Sequence, residues 1–190
     1  MSVRIAPKFL LPLLAAVLPA FADAAACYPV AGTVRLMPDA TCAVQSYVSG
    51  AIFDGQCFSV NLSLLGFPNG SGFAGTTTEP LVGANGVPTL SPAVIPVDGQ
   101  QVPRQIVQTA RTAVMLGAGK HRTTLYTTDV IVFQPQFSAT GQVTPAVTTE
   151  QILIAGTDGK GTYAGAKGHL IVLGNSIGVP APVTGKICLP

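Results

Sequence analysis

The sequence predicts an all-β domain, a barrel or a sandwich, preceded by an export signal. Three observations carry that prediction. Apolar and polar residues alternate with a period of two along most of the chain. Clusters of Gly, Pro and Asn separate the alternating runs. Beyond the first two dozen residues no convincing amphipathic helix and no internal repeat occur.

The first segment is not a strand. Arg4 and Lys8 form a short cationic region, residues 9–22 are uncharged and rich in Leu and Ala, and Ala22-Asp23-Ala24 matches a signal-peptidase site. Residues 1–24 therefore read as a secretory signal peptide and residues 25–190 as a single domain. The apolar run is interrupted by Pro12 and Pro19 and is too short for a bilayer span of about 20 residues. No membrane insertion is expected after processing.

Strands follow in order. Residues 30–37 form the first, and residues 43–53 are ambiguous. Cys57-Phe58-Ser59-Val60-Asn61-Leu62-Ser63-Leu64 alternates cleanly, with Phe58, Val60, Leu62 and Leu64 on one face. Residues 104–116 are rich in β-branched side chains. Gly117-Ala118-Gly119-Lys120 turns the chain, and residues 121–134 return as the hairpin partner. Residues 148–156, 168–174 and 183–189 are further strands, with a turn at 157–161. Residues 80–103 carry five prolines, which remove ladder donors, so they read as a long excursion or an edge. Residues 135–145 read as a second, shorter loop. Each is either a binding lid or a surface insertion.

Composition narrows the function classes. Only 9% of residues are charged, well under the usual quarter. Past residue 24, eight basic residues face seven acidic ones, with no basic run. Nucleic acid is excluded as a partner, as is a charged membrane surface. All four cysteines lie in the exported part: Cys27, Cys42, Cys57 and Cys188. An even count in an exported chain reads as two disulfides. Of the three pairings, Cys42–Cys57 with Cys27–Cys188 is favoured, because the second pair ties the first strand to the last. No CxxC pair occurs and both histidines are distant in sequence, so no metal and no cofactor is expected.

Asp158-Gly159-Lys160-Gly161-Thr162-Tyr163-Ala164-Gly165-Ala166-Lys167-Gly168 sits between the runs Ile152-Leu153-Ile154-Ala155-Gly156 and His169-Leu170-Ile171-Val172-Leu173. This stretch resembles the Gly-rich hairpin of the allene oxide cyclase and dirigent barrel superfamily. Glycines permit positive φ in the turn, the aromatic plugs one barrel end, and small residues let strands approach. Asp158 and Lys160 depart from the pattern. The resemblance covers roughly residues 104–174. It implies an antiparallel eight-stranded barrel with a largely apolar lumen, a β-sandwich being the second choice. Family members include cofactor-free cyclases and proteins that steer the coupling of phenolic radicals. Their catalytic residues do not transfer by motif, and none is carried over.

Candidate chemistry rests on phase. Asp129 alternates with Leu125, Thr127, Ile131 and Phe133, and Glu150 with Ile152 and Ile154. If those faces point inward, the two carboxyls approach each other and form an acid/base pair with a raised pKa. If they point outward, both are solvated. Arg111 is a candidate counter-charge or a snorkelling side chain. Tyr126 and Tyr163 are candidate donors to a ligand or core residues. His169, in phase with Ile171 and Leu173, reads as a ligand contact or as hydrogen-bonded structure. Asn61 and Asn69 match the glycosylation pattern. No nucleophile elbow, HExxH or P-loop is present.

Three functions remain. The first is a binding module that takes a small apolar molecule in the barrel lumen or mouth. The second is a cofactor-free isomerase or cyclase using Asp129 and Glu150. The third is a structural protein of the cell envelope, with a filled lumen and a homo-oligomeric assembly.

Overall fold

The computed structural model describes residues 26–82, 88–91, 93–97, 100–137 and 143–190. The expected signal peptide and residues 83–86 lie outside the described residues. Eleven strands are described: β1 (Ala26–Pro38), β2 (Phe53–Leu64), β3 (Gly70–Thr77), β4 (Pro80–Val82), β5 (Pro88–Leu90), β6 (Ala93–Val97), β7 (Gln100–Leu116), β8 (Thr123–Phe137), β9 (Val143–Thr157), β10 (Lys167–Leu173) and β11 (Ala181–Leu189). Eight of them form a closed antiparallel barrel in the order β3-β2-β1-β11-β10-β9-β8-β7, and pairing of β3 with β7 closes the ring. Closure covers the edges that β3 and β7 would otherwise present to each other's side of the sheet.

The barrel interior follows directly from alternation. Val60, Leu62 and Leu64 of β2 are buried together with Val34, Val114, Leu125, Leu170, Val172 and Val183. The Gly-rich strand β3 was not predicted. Its glycines look like turn signals, yet they serve close approach. A Cβ at Gly72 would run into the Ala113 carbonyl oxygen, and one at Gly70 would stand 2.7 Å from Val114 Cγ1. Without side chains there, β3 fits against β7 and the ring closes.

Strands β7, β8 and β9 run past the ends of β3 and β10. β3 pairs with β7 only between residues 109 and 116, and β6 takes over that edge from Val107 outward. At the change of partner the Thr109 amide donates to Ser91 Oγ at 2.8 Å. The 80–103 stretch is thus a short β4–β5 ribbon followed by an edge strand, in keeping with its prolines. The expected loop at 135–145 is shorter than predicted. Pairing continues to Phe137 opposite Val143, and Pro135 faces Pro145 beside a register shift, so the two residues that lack an amide donor stand opposite each other.

The ambiguous segment becomes a 3-10 turn, Ala43–Ser46, whose Val44 is fully buried. Asp39 organises it: the carboxylate accepts from the Thr41 hydroxyl (2.6 Å), the Thr41 amide (2.9 Å) and the Ala43 amide (2.8 Å). The Thr41 hydroxyl bond, then the Ala43 amide bond, hold its pKa below the ordinary value. Tyr47 stacks on Phe73 of β3 at 5.3 Å, so this segment covers the outer wall. Both disulfides are those favoured from the sequence, Cys27–Cys188 and Cys42–Cys57. The first joins β1 to β11 at directly paired positions. Two disulfides and no free cysteine suit an oxidising compartment. Among the described residues no helix is long and apolar enough to cross a membrane.

Candidate functional site

The two barrel ends differ. One is closed by the 158–166 loop, where Gly159, Gly161 and Gly165 all adopt positive φ. The loop lays Tyr163 against the core and against Phe67, ring centroids 5.5 Å apart. The Thr123 hydroxyl secures it, donating to the Lys160 carbonyl at 2.7 Å and accepting from the Tyr163 amide at 2.9 Å. Tyr163 therefore packs at the closed end rather than in the cavity described next.

The other end is a mouth. The segment between β10 and β11 bends over its rim. The Leu36 amide donates to the Ser176 carbonyl at 2.8 Å, and the Gly178 amide donates back to the Leu36 carbonyl at 2.7 Å. Beneath this rim lies a cavity of about 160 Å³ lined by Leu36, Phe58, Ile131, Phe133, Thr148 and Glu150, among others. Deeper in the lumen lies a second, narrower cavity of about 50 Å³. Its wall is formed chiefly by Val, Leu and Ile, with Thr112, Thr127 and Glu150 as the polar members. Glu150 and Leu36 belong to both walls, so the two spaces adjoin at Glu150.

Both predicted acids are inside. Glu150 pairs in register with Ile131, and Asp129 with Ile152, so the acids are diagonal neighbours on one face of β8 and β9. Such positions stand about 7–8 Å apart at the backbone. Asp129 is fully buried. Its Oδ2 accepts from the Thr112 hydroxyl at 2.7 Å. Burial pushes its pKa up to about 6, against that hydrogen bond and the charge of Arg111. The nearby Thr127 hydroxyl also favours the charged form, although no hydrogen bond joins the two. Burial, and then the Asp129 charge, push Glu150 up to about 8. The two carboxyls therefore titrate as a coupled pair, both raised above the ordinary carboxylate range.

The remaining predicted residues are elsewhere. Arg111 stands on the outer wall, where its guanidinium meets the Glu79 carboxylate (Nε–Oε1 2.9 Å, Nη2–Oε2 2.9 Å) and donates to Thr128 Oγ1 at 2.6 Å. Its direct carboxylate partner is therefore Glu79. Tyr126 lines an outer-wall depression with Arg111 and Tyr47. His169 is exposed, its β9 neighbour being Leu153, itself 57% exposed. Alternation puts all three on the opposite face from the acids. Among the described residues no group of three His, Cys, Asp or Glu side chains is placed to hold a metal.

Sequence reasoning missed the polar rim. Gln108 is buried and donates to Asp54 Oδ2 at 2.7 Å, and the Thr76 hydroxyl bonds Asp54 Oδ1. It also missed Thr112, which belongs to the apolar phase of β7 with Ala110, Val114 and Leu116. A polar residue repeating within an apolar phase was the available signal. No known protein family, curated protein or solved structure matches this chain.

Proposed function

We propose that this is an exported barrel protein that binds a small, largely apolar molecule through its mouth. One observation carries the reading: an apolar lumen cavity adjoins a wider cavity at the rim, and the Glu150 carboxyl lines both. A barrel serving only as a scaffold has no need of such a space, because interiors ordinarily pack without voids. The resemblance of the 158–168 hairpin to allene oxide cyclases and dirigent proteins supports the same reading, since those barrels act on small organic molecules.

Two measurements test it. Organic extraction of protein purified from its native host is expected to release a bound compound. A neutral apolar dye such as N-phenyl-1-naphthylamine is expected to gain fluorescence with the wild type and to lose most of that gain with Ala74→Leu, which fills the lumen. A protein that yields no compound and binds no dye, or a dye response unchanged by Ala74→Leu, sinks the reading.

A second reading, a cofactor-free isomerase or cyclase, is favoured by the coupled carboxyl pair. Glu150 lines both cavities and Asp129 lies behind it, so proton exchange with a bound molecule runs through Glu150. It predicts that Asp129→Asn and Glu150→Gln each abolish turnover of the extracted compound while the fold is kept. Undiminished turnover in both variants refutes it.

A further inference from the structure

The two adjoining cavities differ in what lines them. The inner one is walled chiefly by aliphatic side chains, Val60, Leu62, Val114, Val172 and Val183 among them. It offers a polar group little. The Thr112 hydroxyl is taken by Asp129. The Thr127 hydroxyl and Asp129 Oδ1 lack hydrogen-bond partners among the described residues, but the two groups are each other's neighbours, and Asp129 lines neither cavity. The remaining polar group, Glu150, stands where the inner cavity adjoins the rim.

The rim cavity is mixed. Beside its apolar members it is lined by three carboxamide residues, Gln56, Gln108 and Asn175, and three hydroxyl residues, Thr76, Thr148 and Ser176. Several are held in place by the protein. Asp54 accepts from Gln108 Nε2 at 2.7 Å and from the Thr76 hydroxyl. Asn175 Oδ1 accepts from the Ile177 amide at 2.9 Å, which leaves the Asn175 amide nitrogen as a donor. No hydrogen bond joins the Glu150 carboxyl to another described residue. The rim therefore presents donors and acceptors together, and neither cavity is lined by Lys, Arg or His among the described residues.

The head and tail of a ligand follow from these walls. A carboxylate head meets Glu150, with Asp129 behind it, and finds no cation. An ammonium has donors and no acceptor, so it leaves the donors of Asn175 and Thr148 unmatched. A neutral head that both donates and accepts matches carboxamides, hydroxyls and carboxyl alike. The inner cavity, about 50 Å³, is well under the roughly 150 Å³ that accommodates benzene in an apolar protein cavity, which suits a short aliphatic tail.

Resting on the binding reading above, we infer that the ligand is a neutral aliphatic alcohol or primary amide with a short branched tail, bound tail-first. The tail fills the inner cavity, and the head meets Glu150 and the carboxamides and hydroxyls of the rim.

The test is a chemical-shift titration of the disulfide-bonded protein at neutral pH with four probes: 3-methylbutanamide, acetamide, 3-methylbutanoate and 3-methylbutylamine. The branched amide is expected to bind about tenfold or more tightly than the carboxylate or the ammonium, whose hydration is not replaced. It is expected to exceed acetamide by a similar factor, since each buried methylene is worth roughly fourfold. Ala74→Leu, which fills the inner cavity, is expected to bring the two amides level. Glu150→Leu is expected to weaken the branched amide about tenfold, and Glu150→Gln to keep it within a few-fold. Should the variants fail to fold, the wild-type series decides. Carboxylate or ammonium binding as tight as that of the branched amide overturns the neutral head. Equal binding of the two amides by the wild type overturns the tail-first order, and branched-amide binding unchanged by Glu150→Leu overturns the place of the head. Failure of all four probes while the neutral dye still binds overturns the inference and leaves the binding function standing. Failure of the probes and the dye together overturns both.

Discussion

Stability of this protein should fall as pH rises from about 4.5 to about 8, and Glu150 is the main cause. Its ordinary pKa of 4.5 is raised to about 8 in the fold, first by burial and then by the Asp129 charge. A carboxyl with a raised folded pKa keeps its proton after the unfolded chain has released it. The stability is fully present below pH 4.5 and is lost as pH rises through the folded value. Each pH unit within that window removes about 1.4 kcal/mol. The window spans about 3.5 units, so the loss is on the order of 5 kcal/mol. Asp129, raised from 3.8 to about 6, adds to the slope at its acid end. Asp39 is shifted downward and titrates below the window, so it does not oppose the effect.

Glu150→Gln isolates the cause. The amide is nearly isosteric with the neutral acid and cannot ionise. At pH 4 the variant should lie within about 1 kcal/mol of the wild type, the scale of one altered hydrogen bond. At pH 8.5 it should be the more stable by roughly 3 kcal/mol, because only the wild type must then keep a charge next to Asp129. Its remaining slope should end near pH 6, where Asp129 titrates. The assay is urea unfolding at half-unit intervals from pH 4 to 9 with disulfides intact. Far-UV circular dichroism is the probe, since the chain has no tryptophan. A wild-type stability that is flat or rising between pH 5 and 8 refutes the reasoning, as does the same slope in both proteins.

Three further outcomes follow from the barrel itself. Gly161→Ala should cost about 1–3 kcal/mol, because Gly161 has φ +71 and a Cβ would meet the Arg122 carbonyl; a thermal midpoint unchanged within a degree contradicts this. Replacing Cys27 and Cys188 together by Ser should destabilise more than replacing Cys42 and Cys57, roughly 5 against roughly 3 kcal/mol on loop entropy, since the first pair is 161 residues apart and the second 15; the reverse order in chemical denaturation contradicts it. Glu79→Gln should change stability by about 1 kcal/mol or less, the ion pair being 30% and 25% exposed, and a loss above 2 kcal/mol would show Arg111 to matter more to the fold than its position implies.

Most strands were legible because a half-buried strand must alternate. The run at 57–64 declared its period through side chains of opposite polarity, and 104–116 declared itself through its β-branched residues. The disulfide pairing was legible because an end-to-end staple suits a closed ring. Strand β3 was hidden, since Gly70, Gly72 and Gly75 give no polarity signal and imitate a turn. The continuation of β8 and β9 through Pro135 and Pro145 was hidden too. Whether a proline blocks pairing depends on which way its missing amide would have pointed, and that is a property of the pair of strands.

The candidate site divides along the same line. Alternation by itself determined that Asp129 and Glu150 share phase with apolar residues, and that Arg111, Tyr126 and His169 sit in strands beside them. It could not say which phase is inside, because period two is symmetric until the sheet curls. Closure of β3 on β7 broke that symmetry. It turned one face of every strand inward at once, buried the two acids in an apolar lumen, and left Arg111, Tyr126 and His169 on the outer wall. The raised pKa values and the empty space at Glu150 exist only after that closure, because both arise from residues of several strands enclosing a common volume.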